Sequence, residues 1–321
     1  MDEFALIAEL FAPLARDAPG AFELTDDAAV IEVTADRRLV VTKDMMVAGV
    51  HFLVDDPPAL VARKLLRINL SDLAAMGARQ RAYLLGLAVA PSTDEAWLRA
   101  FAAGLGEDQV LYDVHLIGGD TVATGGPFTA SLTAIGEVAA GAVVRRTGAR
   151  AGDRVVVSGT LGDAALGLEA LRGTLKGVDE AGREALVERF RLPQPRVALG
   201  ARLSGLAHAA IDVSDGLVAD LGHVCAASGV GAEIEAARLP LSPAAQAALA
   251  AEPALRTAVL TGGDDYEIVF TAAADAAVEA LSADLGLALT VIGRIVEGKG
   301  VAVIDEEGEH LDLPTAGYTH L

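Results

Sequence analysis

Apolar residues recur along the chain at two spacings, and these spacings predict a mixture of helices and strands. A helical spacing marks residues 3–16, which Pro19-Gly20 ends, and a longer segment that opens at Pro57-Pro58 and stops at Gly77. Helices are also predicted at 94–105 with Ser92 or Thr93 as the N-cap, at 164–171, 180–190 and 217–227, and after Pro195. Runs typical of strands lie at 28–33, 38–42, 83–89, 115–117, 128–137, 154–158, 209–213, 232–235, 266–271, 287–296 and 300–304. The predicted fold class is mixed α/β.

Residues 139–153 differ in composition from both flanks, because this segment is rich in glycine and arginine. It contains Gly141, Arg145, Arg146, Gly148, Arg150 and Gly152. Such a polar and flexible stretch is typical of a boundary between domains. We expect an N-terminal α/β domain over residues 1–140 and a C-terminal α/β domain over residues 150–321.

Composition narrows the class of partner. The 321-residue chain has 45 acidic and 25 basic residues and a formal net charge of −20. A surface this acidic repels a phosphate backbone, so nucleic acid is not expected as a partner, whereas divalent cations are compatible with it. The single cysteine, Cys225, allows no internal disulfide and fits a reducing compartment. We recognise neither a secretory leader nor an 18-residue apolar run, and we therefore expect a cytoplasmic protein outside the membrane.

One carboxylate stands inside the predicted helix that ends at Gly77. Asp72 lies among leucines and alanines, with Asn69 three residues earlier on the same helical face. Burying a charge in such surroundings is costly unless a positive group neutralises it. The basic residues nearby, Lys64 and Arg67, both lie upstream. The partner of Asp72 is therefore either a distant arginine or a cation that is not part of the protein.

Other aspartates fall at the predicted ends of strands, several beside paired glycines. They are Asp26-Asp27, Asp44, Asp120, Asp212, Asp215 and Asp264-Asp265. Carboxylates at strand ends can converge on one rim of a sheet, where they would hold Mg²⁺ against substrate phosphates. Glycines beside them would let the backbone approach a phosphate closely. The alternative is that each aspartate is only a turn or capping residue, but so many sites favour a metal cluster.

Several familiar catalytic motifs are absent from the sequence. We find no P-loop, no Gly-x-Ser-x-Gly elbow, no His-Glu-x-x-His and no cysteine pair. A metal–phosphate site without a covalent nucleophile favours direct phosphoryl transfer. Arg145 and Arg146 are either ligands of a nucleotide phosphate or solvated charges of the linker. His51 is the histidine closest to the acidic motifs, although a lone histidine is more often a packing or capping residue.

With these residues assembled, the chain closely resembles the thiamine-monophosphate kinase family of the aminoimidazole ribonucleotide synthetase-like superfamily. The similarity runs nearly end to end, and the order and spacing of its motifs are more specific than any one of them. The motifs are Asp26-Asp27-Ala28-Ala29, Asp44-Met45-Met46-Val47-Ala48-Gly49-Val50-His51-Phe52, Asn69-Leu70-Ser71-Asp72-Leu73-Ala74-Ala75-Met76-Gly77-Ala78, Gly118-Gly119-Asp120-Thr121, Arg146-Thr147-Gly148-Ala149, Asp212-Val213-Ser214-Asp215-Gly216-Leu217, Gly262-Gly263-Asp264-Asp265-Tyr266-Glu267 and Gly317-Tyr318-Thr319-His320.

The resemblance implies a two-domain fold, with an N-terminal domain that forms a dimer interface and a C-terminal α/β sandwich. It implies ATP-dependent phosphorylation of thiamine monophosphate to thiamine diphosphate, with several Mg²⁺ ions around the phosphates, by a homodimer that binds ATP near its interface. The metal-site residues carried over by position are Asp27, Thr42, Lys43, Asp44, Asp72, Asp120, Asp212 and Asp215. The ATP contacts would be Gly119, Asp120, Arg146 and Ser214, and the thiamine contacts would be His51, Asp264 and Tyr318.

The chain departs from the family pattern at three positions. Thr25 stands where glycine usually precedes the aspartate pair, and Lys43 stands where threonine usually precedes Asp44. A cation at Lys43 would displace or mimic one metal ion, although a contact through its main-chain carbonyl would survive. Asp264 stands where glutamate is common, which shortens the reach toward substrate by one methylene group.

Other activities fit the residues less well. The selenophosphate-forming relatives carry a reactive cysteine or selenocysteine near the N-terminus, and the hydrogenase-maturation relatives end in a cysteine. This chain has neither feature. Aminoimidazole ribonucleotide synthetase activity remains an alternative, but the motif of residues 262–267 and the His51 segment fit it poorly. A non-catalytic nucleotide-binding or Ca²⁺-binding module and a plain acidic scaffold are alternatives from other classes of protein.

Overall fold

The computed structural model describes residues 3–26, 28–305 and 307–318. The chain forms two compact units. Unit 1 comprises Met1–Leu73 and Ala78–Gly141, and unit 2 comprises Ala74–Gly77 and Ala142–Leu321. Each unit has its own sheet, and the two sheets together confirm the predicted mixed α/β class.

Unit 1 begins with short helical turns in place of the single helix predicted over residues 3–16. These are α1 (Glu3–Leu6), a π-helical turn (Ile7–Phe11) and 3-10 turns (Ala12–Ala15 and Pro19–Leu24). Pro13 lies at the start of the first 3-10 turn, where its missing N–H interrupts the helical hydrogen-bond ladder. The remaining elements are β1 (Arg37–Val47), α2 (Pro58–Ala75), β2 (Arg79–Val89), α3 (Glu95–Tyr112), β3 (His115–Ala123) and β4 (Thr129–Ala139).

The sheet of unit 1 has the strand order β1-β4-β2-β3, so β1 and β3 are its edges. β4 is antiparallel to both of its neighbours, and β2 is parallel to β3. Helix α2 buries Leu65, Leu66 and Leu70 completely, as its helical apolar spacing predicts. Gly104 of α3 lies so close to the Ala59 backbone of α2 that a Cβ atom would stand 2.3 Å from the Ala59 carbonyl oxygen.

The strand predicted at residues 28–33 is wrong, since these described residues belong to no strand. Their sequence contains several residues that favour strands, but Val30 is 60% exposed. Its amide donates to Gly20 O at 2.8 Å instead of to a neighbouring strand. A β-propensity without a strand to pair with leaves an irregular segment. The predicted N-cap of α3 is also wrong: Asp94 caps it, and its carboxylate accepts the Trp97 amide at 2.7 Å.

Unit 2 contains a six-stranded sheet with helices around it. Its strands are β5 (Arg154–Ser158), β6 (Ala207–Asp212), β7 (Gly231–Glu235), β8 (Ile268–Ala272), β9 (Leu289–Val296) and β10 (Gly300–Ile304). Its helices are α4 (Asp163–Leu171), α5 (Glu180–Arg191), α6 (Val197–Leu203), α7 (Leu217–Ser228), α8 (Pro243–Ala251), α9 (Arg256–Thr261) and α10 (Val278–Leu285). The strand order is β10-β7-β9-β5-β8-β6, and only the β10–β7 pair is parallel.

The sheet of unit 2 has a hydrophobic core on each face, because alternate residues of a strand point to opposite sides. Val155 and Val157 of β5 pack in one core together with Leu221 of α7. Val156, between them in sequence, packs in the other core with Leu199 of α6. The free thiol of Cys225 is buried in the first core. None of the described helices is long and apolar enough to cross a membrane.

Candidate functional site

The first candidate site lies where β1 contacts α2. The Thr42 hydroxyl of β1 donates to the Asp72 carboxylate at 2.5 Å. The Asp44 amide donates to Asn69 Oδ1 at 3.1 Å, and Asn69 Nδ2 donates to the Leu65 carbonyl at 2.9 Å. Because Asn69 and Asp72 are one helical turn apart, the same face of α2 meets the alternate residues Thr42 and Asp44 of β1. This arrangement brings the Asp44 and Asp72 carboxylates together.

The carboxylates at this contact strongly favour a cation. Burial first, and then repulsion from Asp72, raise the pKa of Asp44 to about 7. The neighbouring donors are all oxygen atoms, the ligands that hard divalent cations prefer, and Mg²⁺ is commonly held by one or two carboxylates plus substrate phosphates. The residues present therefore fit a magnesium ion. Asp72 itself is half-buried, so the expectation of a fully buried charge is corrected.

The basic residues near Asp72 in sequence are paired with other groups. The Arg67 guanidinium is 1% exposed and donates to both Asp108 oxygens, at 2.6 and 3.0 Å. Arg63 also donates to Asp108, at 2.9 Å. Lys64 Nζ donates to the His51 carbonyl at 3.2 Å. These contacts join α2 to α3 and fix the loop of His51.

The register of the four-stranded sheet separates Asp120 from Asp44. Asp120 pairs across the sheet with Gly86, Ser131 and Met45 in turn, so it shares a face with Met45 and lies on the face opposite Asp44. The two aspartates also lie on opposite edge strands, about 14 Å apart at roughly 4.8 Å per strand spacing. Both lie within strands and not after them. The prediction that Asp44 and Asp120 converge at strand ends is therefore wrong for unit 1 of a single chain.

The face that carries Asp120 borders a cavity of about 730 Å³. Asp120, Gly119 and Lys43 line it, together with Asp26 and Thr121. Gly119 is needed here, because a Cβ atom would lie 1.9 Å from the Leu85 carbonyl oxygen on the neighbouring strand. Apolar walls are supplied by the helical turns at the start of the chain and by β3. A cavity of this size with apolar and charged walls suits a small-molecule ligand.

Lys43 points away from the Asp44–Asp72 pair. Its Nζ donates to the Ser131 hydroxyl at 2.7 Å and lies 3.5 Å from the Thr133 hydroxyl, both on β4. As the residue between Thr42 and Asp44, it projects to the opposite face of β1. Its ammonium group therefore does not substitute for a metal ion between Asp44 and Asp72.

His51 lies in a tight loop after β1. The Val47 amide donates to His51 Nδ1 at 3.1 Å, and the Asp56 carboxylate accepts the Leu53 amide at 2.8 Å. Gly49 supplies the left-handed conformation, with φ at 81°, that this turn requires. The loop therefore holds the His51 ring close to the end of β1.

The second candidate site gathers three segments of unit 2. Segments 213–216 and 262–267 are joined by backbone hydrogen bonds from Asp264 N to Ser214 O at 2.9 Å and from Tyr266 N to Val213 O at 2.8 Å. The Tyr318 amide donates to Asp215 O at 3.0 Å. The predicted site residues Ser214, Asp215, Asp264 and Tyr318 thus lie together, next to Asp212 at the end of β6.

Asp220 fixes the backbone of segment 213–216. One of its oxygens accepts the amides of Ser214, Asp215 and Gly216 at 3.0, 3.0 and 3.1 Å. Asp220 is 2% exposed, and burial raises its pKa to about 7 despite these hydrogen bonds. This residue was not predicted as part of a site. Its position in the first turn of α7, four residues after Gly216, was the available signal.

Two buried carboxylates fix the segment that carries Asp264. Asp265 is 1% exposed and accepts the amides of Gly162 and Ala164, at the start of α4, at 2.6 and 3.2 Å. Burial raises its pKa to about 8. Glu267 is fully buried and accepts from Ser158 at 2.6 Å, from Arg189 at 2.8 Å and from Arg196.

On either side of Asp265 the backbone adopts left-handed conformations, with φ at 71° for Asp264 and 50° for Tyr266. Aspartate tolerates the left-handed region better than most residues, which accounts for Asp264 where glutamate was expected. The Asp264 side chain is one methylene group shorter than glutamate. Its backbone is fixed by the hydrogen bond to Ser214 O and by the neighbouring Asp265.

The remaining predicted residues are more dispersed. Arg145 and Arg146 are exposed in an extended segment beside β6, where Ala210 N donates to Arg145 O at 3.0 Å. Thr25, another departure, bonds its hydroxyl to Phe22 O at 2.7 Å within a turn. Asp27, Thr319 and His320 lie outside the described residues. In the part of the chain that the structure describes, no group of three His, Cys, Asp or Glu side chains is placed to hold a metal ion.

The fold and motifs agree with a known protein family. The N-terminal domain model of AIR synthase related proteins matches residues 25–138, and the C-terminal domain model of the same proteins matches residues 150–306. Together these matches cover more than half of the chain. The chain therefore belongs to the AIR synthase related protein family.

Comparison with individual proteins narrows the family. The chain is 46% identical to the thiamine-monophosphate kinase of Caulobacter vibrioides, over 99% of this chain and 90% of that protein. It is similar to the crystal structure of thiamine-monophosphate kinase from Stenotrophomonas maltophilia, with a TM-score of 0.82, 46% identity and coverage of 90% and 91% of the two chains. The structure of AaThiL complexed with AMPPCP and TMP is also similar, with a TM-score of 0.78 and 31% identity. The match covers 99% of this chain and 97% of that chain. Within its family, the chain is a member of the thiamine-monophosphate kinases.

The raised pKa of Asp44 predicts how Mg²⁺ stabilises the protein as a function of pH. Without metal, the folded state holds the Asp44 proton more tightly than the unfolded state, whose carboxyl titrates near 3.8. The free energy of unfolding therefore falls as the pH rises from about 4 to about 7, and then levels off. Mg²⁺ binds the ionised carboxylate, so the rise in Tm that it causes should be small at pH 5.5 and larger at pH 8.

The Asp44→Asn variant is the control for this experiment. Asp220 and Asp265 titrate with the same sign in both proteins, so the difference between the parent and the variant isolates Asp44. We expect the variant to lose most of the pH-dependent rise in Tm with Mg²⁺, as measured by differential scanning fluorimetry. An equal rise in both proteins at every pH would place the cation elsewhere.

The buried position of Glu267 predicts a large loss of stability when its charge is removed. Glu267→Gln removes the carboxylate that Arg189 and Arg196 share and should lower the free energy of unfolding by about 3 kcal/mol in urea titrations. The matched control is Glu235→Gln, which breaks an exposed pair with Arg238 and should change stability little. Equal effects of the two substitutions would contradict the anchoring role of Glu267.

Proposed function

We propose that the protein transfers the γ-phosphoryl group of ATP to thiamine monophosphate, which yields thiamine diphosphate and ADP. The observation that carries this proposal is the similarity over nearly the whole chain to AaThiL, whose structure holds AMPPCP and TMP. AMPPCP is an analogue of ATP in which a carbon atom replaces the bridging oxygen between the β- and γ-phosphates. The named kinase relatives match over the same length.

The proposed ligand contacts are assigned residue by residue within each unit. Gly119 and Asp120 contact the nucleotide in unit 1, supported by their place in the 730 Å³ cavity. Arg146 and Ser214 contact it in unit 2, where the exposed Arg146 side chain is available to a phosphate. The thiamine-side contacts are His51, in its fixed loop, and Asp264 and Tyr318, which both flank segment 213–216.

The proposed metal-site residues are oxygen donors for Mg²⁺. They are Asp27, Thr42, Lys43, Asp44, Asp72, Asp120, Asp212 and Asp215, with Lys43 taking part only through its main-chain carbonyl. The Asp44–Asp72 pair supports this assignment best, since its charge repulsion is relieved by a cation. These residues would hold Mg²⁺, which would supply positive charge to neutralise the two anionic substrates.

The chain's own residues position the reactants and need not supply a strong base. The acceptor is a phosphate oxygen, largely ionised near neutral pH, so no side chain has to remove a proton to create the nucleophile. Thr42 and Asn69 set the positions of the Asp72 and Asp44 carboxylates through their hydrogen bonds. Asp220, Asp265 and Glu267 do the same for the segments that carry Ser214, Asp215 and Asp264. Positioning and charge neutralisation are the main sources of rate in phosphoryl transfer.

We also propose that the protein is a homodimer formed through the sheets of unit 1. The edge strand β1 exposes Leu39, Val41 and Met45 on one face, at 40%, 59% and 53%. An apolar edge of this kind favours pairing with a second chain. Asp44 and Asp120 lie on opposite faces of one sheet, and a second copy would allow an Asp120 from one chain to approach the Asp44–Asp72 pair of the other. ATP and a free buried thiol are both compatible with the cytoplasmic location that we propose.

The proposed activity predicts ADP release that depends on both Mg²⁺ and thiamine monophosphate. Asp72→Asn should lower turnover at least about a hundredfold, because it removes a proposed metal ligand. Its Tm without metal should stay the same or rise, since repulsion of Asp44 is removed. Coupled ADP detection and chromatography of thiamine diphosphate measure the reaction.

The matched control for Asp72→Asn is Asp113→Asn. Asp113 is an exposed residue in a left-handed conformation that asparagine also tolerates, and this variant should keep full turnover. Full activity of the parent protein in excess chelator would refute the metal-assisted mechanism. ATP binding without any turnover would point to another phosphorylated acceptor.

The proposed dimer predicts that a charge on the exposed face of β1 dissociates the protein. Val41→Glu should convert the dimer to a monomer by size-exclusion chromatography with light scattering, because two carboxylates would be buried at the interface. Val110→Glu is the matched control, since Val110 is 87% exposed on α3. A parent protein that is a monomer, or a dimer that both variants retain, would contradict the proposed interface.

A further inference from the structure

Lys43 has a placement that the proposed reaction does not explain. Its side chain leaves the edge strand β1 on the face opposite the Asp44–Asp72 pair and crosses toward β4. There its ammonium group donates to Ser131 Oγ at 2.7 Å, and Thr133 Oγ1 lies at 3.5 Å. Three donor positions on the ammonium group face two hydroxyls, so the group retains capacity to bind another acceptor.

No carboxylate in the part of the chain that the structure describes forms an ion pair with Lys43. Among the described residues, its hydrogen-bond partners are neutral hydroxyls and it forms no ion pair. Some other exposed cations do have an acidic partner within reach, as Arg99 has Glu9 and Glu95. An ammonium group held by neutral hydroxyls keeps its full attraction for an anion.

The cavity next to Lys43 has room for an anion and for the rest of a nucleotide. Lys43 and Ser131 line one side of this 730 Å³ cavity, and Asp120 lines the other. Asp120 lies two strand spacings from Ser131 across the sheet, which is about 10 Å. Between them stands Gly86, where the absence of a side chain leaves the floor of the cavity open. Phe11 and Leu116 supply apolar wall that suits a base.

We propose that Lys43 binds the polyphosphate of the nucleotide directly, with Ser131 and Thr133 orienting its ammonium group. This inference rests on the proposed use of ATP and adds a residue to its binding site. It assigns to the Lys43 side chain a phosphate contact, in addition to the metal contact proposed for its main-chain carbonyl. The contact should be strongest where no Mg²⁺ screens the phosphates.

Equilibrium binding of ATP and adenosine to the full-length protein tests this inference. Titration calorimetry of the parent protein and of Lys43→Met is carried out with Mg²⁺ and with EDTA. We expect Lys43→Met to raise the Kd for ATP about tenfold in EDTA, the loss typical of one charge-assisted hydrogen bond, and less in Mg²⁺. The Kd for adenosine, which has no phosphate, should not change.

Further variants separate a phosphate contact from a structural role. Lys43→Arg should retain most of the ATP affinity, while Lys43→Thr, a residue that suits a strand, should lose as much as Lys43→Met. Lys176→Met is the matched control, since Lys176 is an exposed lysine in unit 2, and it should bind ATP as the parent does. Unchanged ATP affinity in Lys43→Met and Lys43→Thr would overturn the inference. So would loss of the dimer in both variants with ATP affinity unchanged, because Lys43 would then be an interface residue.

The binding assay and the turnover assay test the inference about Lys43 and the proposed reaction separately. A protein that binds ATP through Lys43 but does not phosphorylate thiamine monophosphate would sustain this inference and refute the proposed reaction. A protein that is an active kinase, with the same ATP affinity in all Lys43 variants, would refute the inference alone. A parent protein that does not bind ATP would refute both.

Discussion

Burial of Asp44 beside the Asp72 carboxylate is the constraint that the contact between β1 and α2 has to accommodate. Two acidic groups are brought together where β1 meets α2, and burial raises the pKa of Asp44 to about 7. Such a contact is stable only if other interactions hold the strand and the helix in place. The Asn69 bridge between the Asp44 amide and the Leu65 carbonyl does this locally, and the Arg67–Asp108 pair holds α2 against α3. A cation between the two carboxylates would relieve their repulsion, which is why we propose a metal site at this contact.

Unit 2 uses carboxylates for the opposite purpose. The carboxylates of Asp220, Asp265 and Glu267 are nearly or fully buried. Each accepts hydrogen bonds from backbone amides or from arginines. Their partners lie in segments that carry the proposed ligand contacts, so the buried carboxylates set the shape of the site while Asp215 and Asp264 stay half-exposed. An acidic chain of this kind therefore contains two populations of carboxylate. Burial and the identity of the hydrogen-bond donors distinguish them, and charge alone does not.

Sequence periodicity predicted the helices and strands that have a regular apolar pattern. It failed where the structure depends on whether a neighbouring strand is present to pair with. Strands β5 and β10 begin and end where predicted, and α2 is within two residues, because flanking glycine and proline residues limit them. The strand expected at residues 28–33 fails, since β-propensity says nothing about whether a neighbouring strand exists. Helix α8 was overlooked because its alanine-rich sequence shows little contrast between faces. Helix α10 was overlooked although its polar and apolar faces differ, since it is only eight residues long. The site residues stay a prediction, and their grouping in space depends on strand register, which motif spacing does not encode.

Successive side chains of a strand point to opposite faces, and this explains why the grouping of the site residues in space was hard to predict. Thr42, Lys43 and Asp44 are consecutive, so sequence proximity suggested one cluster of metal-site residues. In this edge strand α2 covers the face of Thr42 and Asp44, the middle residue projects to the other side, and Lys43 joins Ser131 and Asp120 on the cavity face. One short segment thus presents carboxylate and hydroxyl oxygens on the face with the proposed cation site and an ammonium group on the face with the proposed anion site. A threonine in place of Lys43 would leave the cavity face without a cation, so this substitution changes the charge of one face while leaving the Asp44–Asp72 face intact.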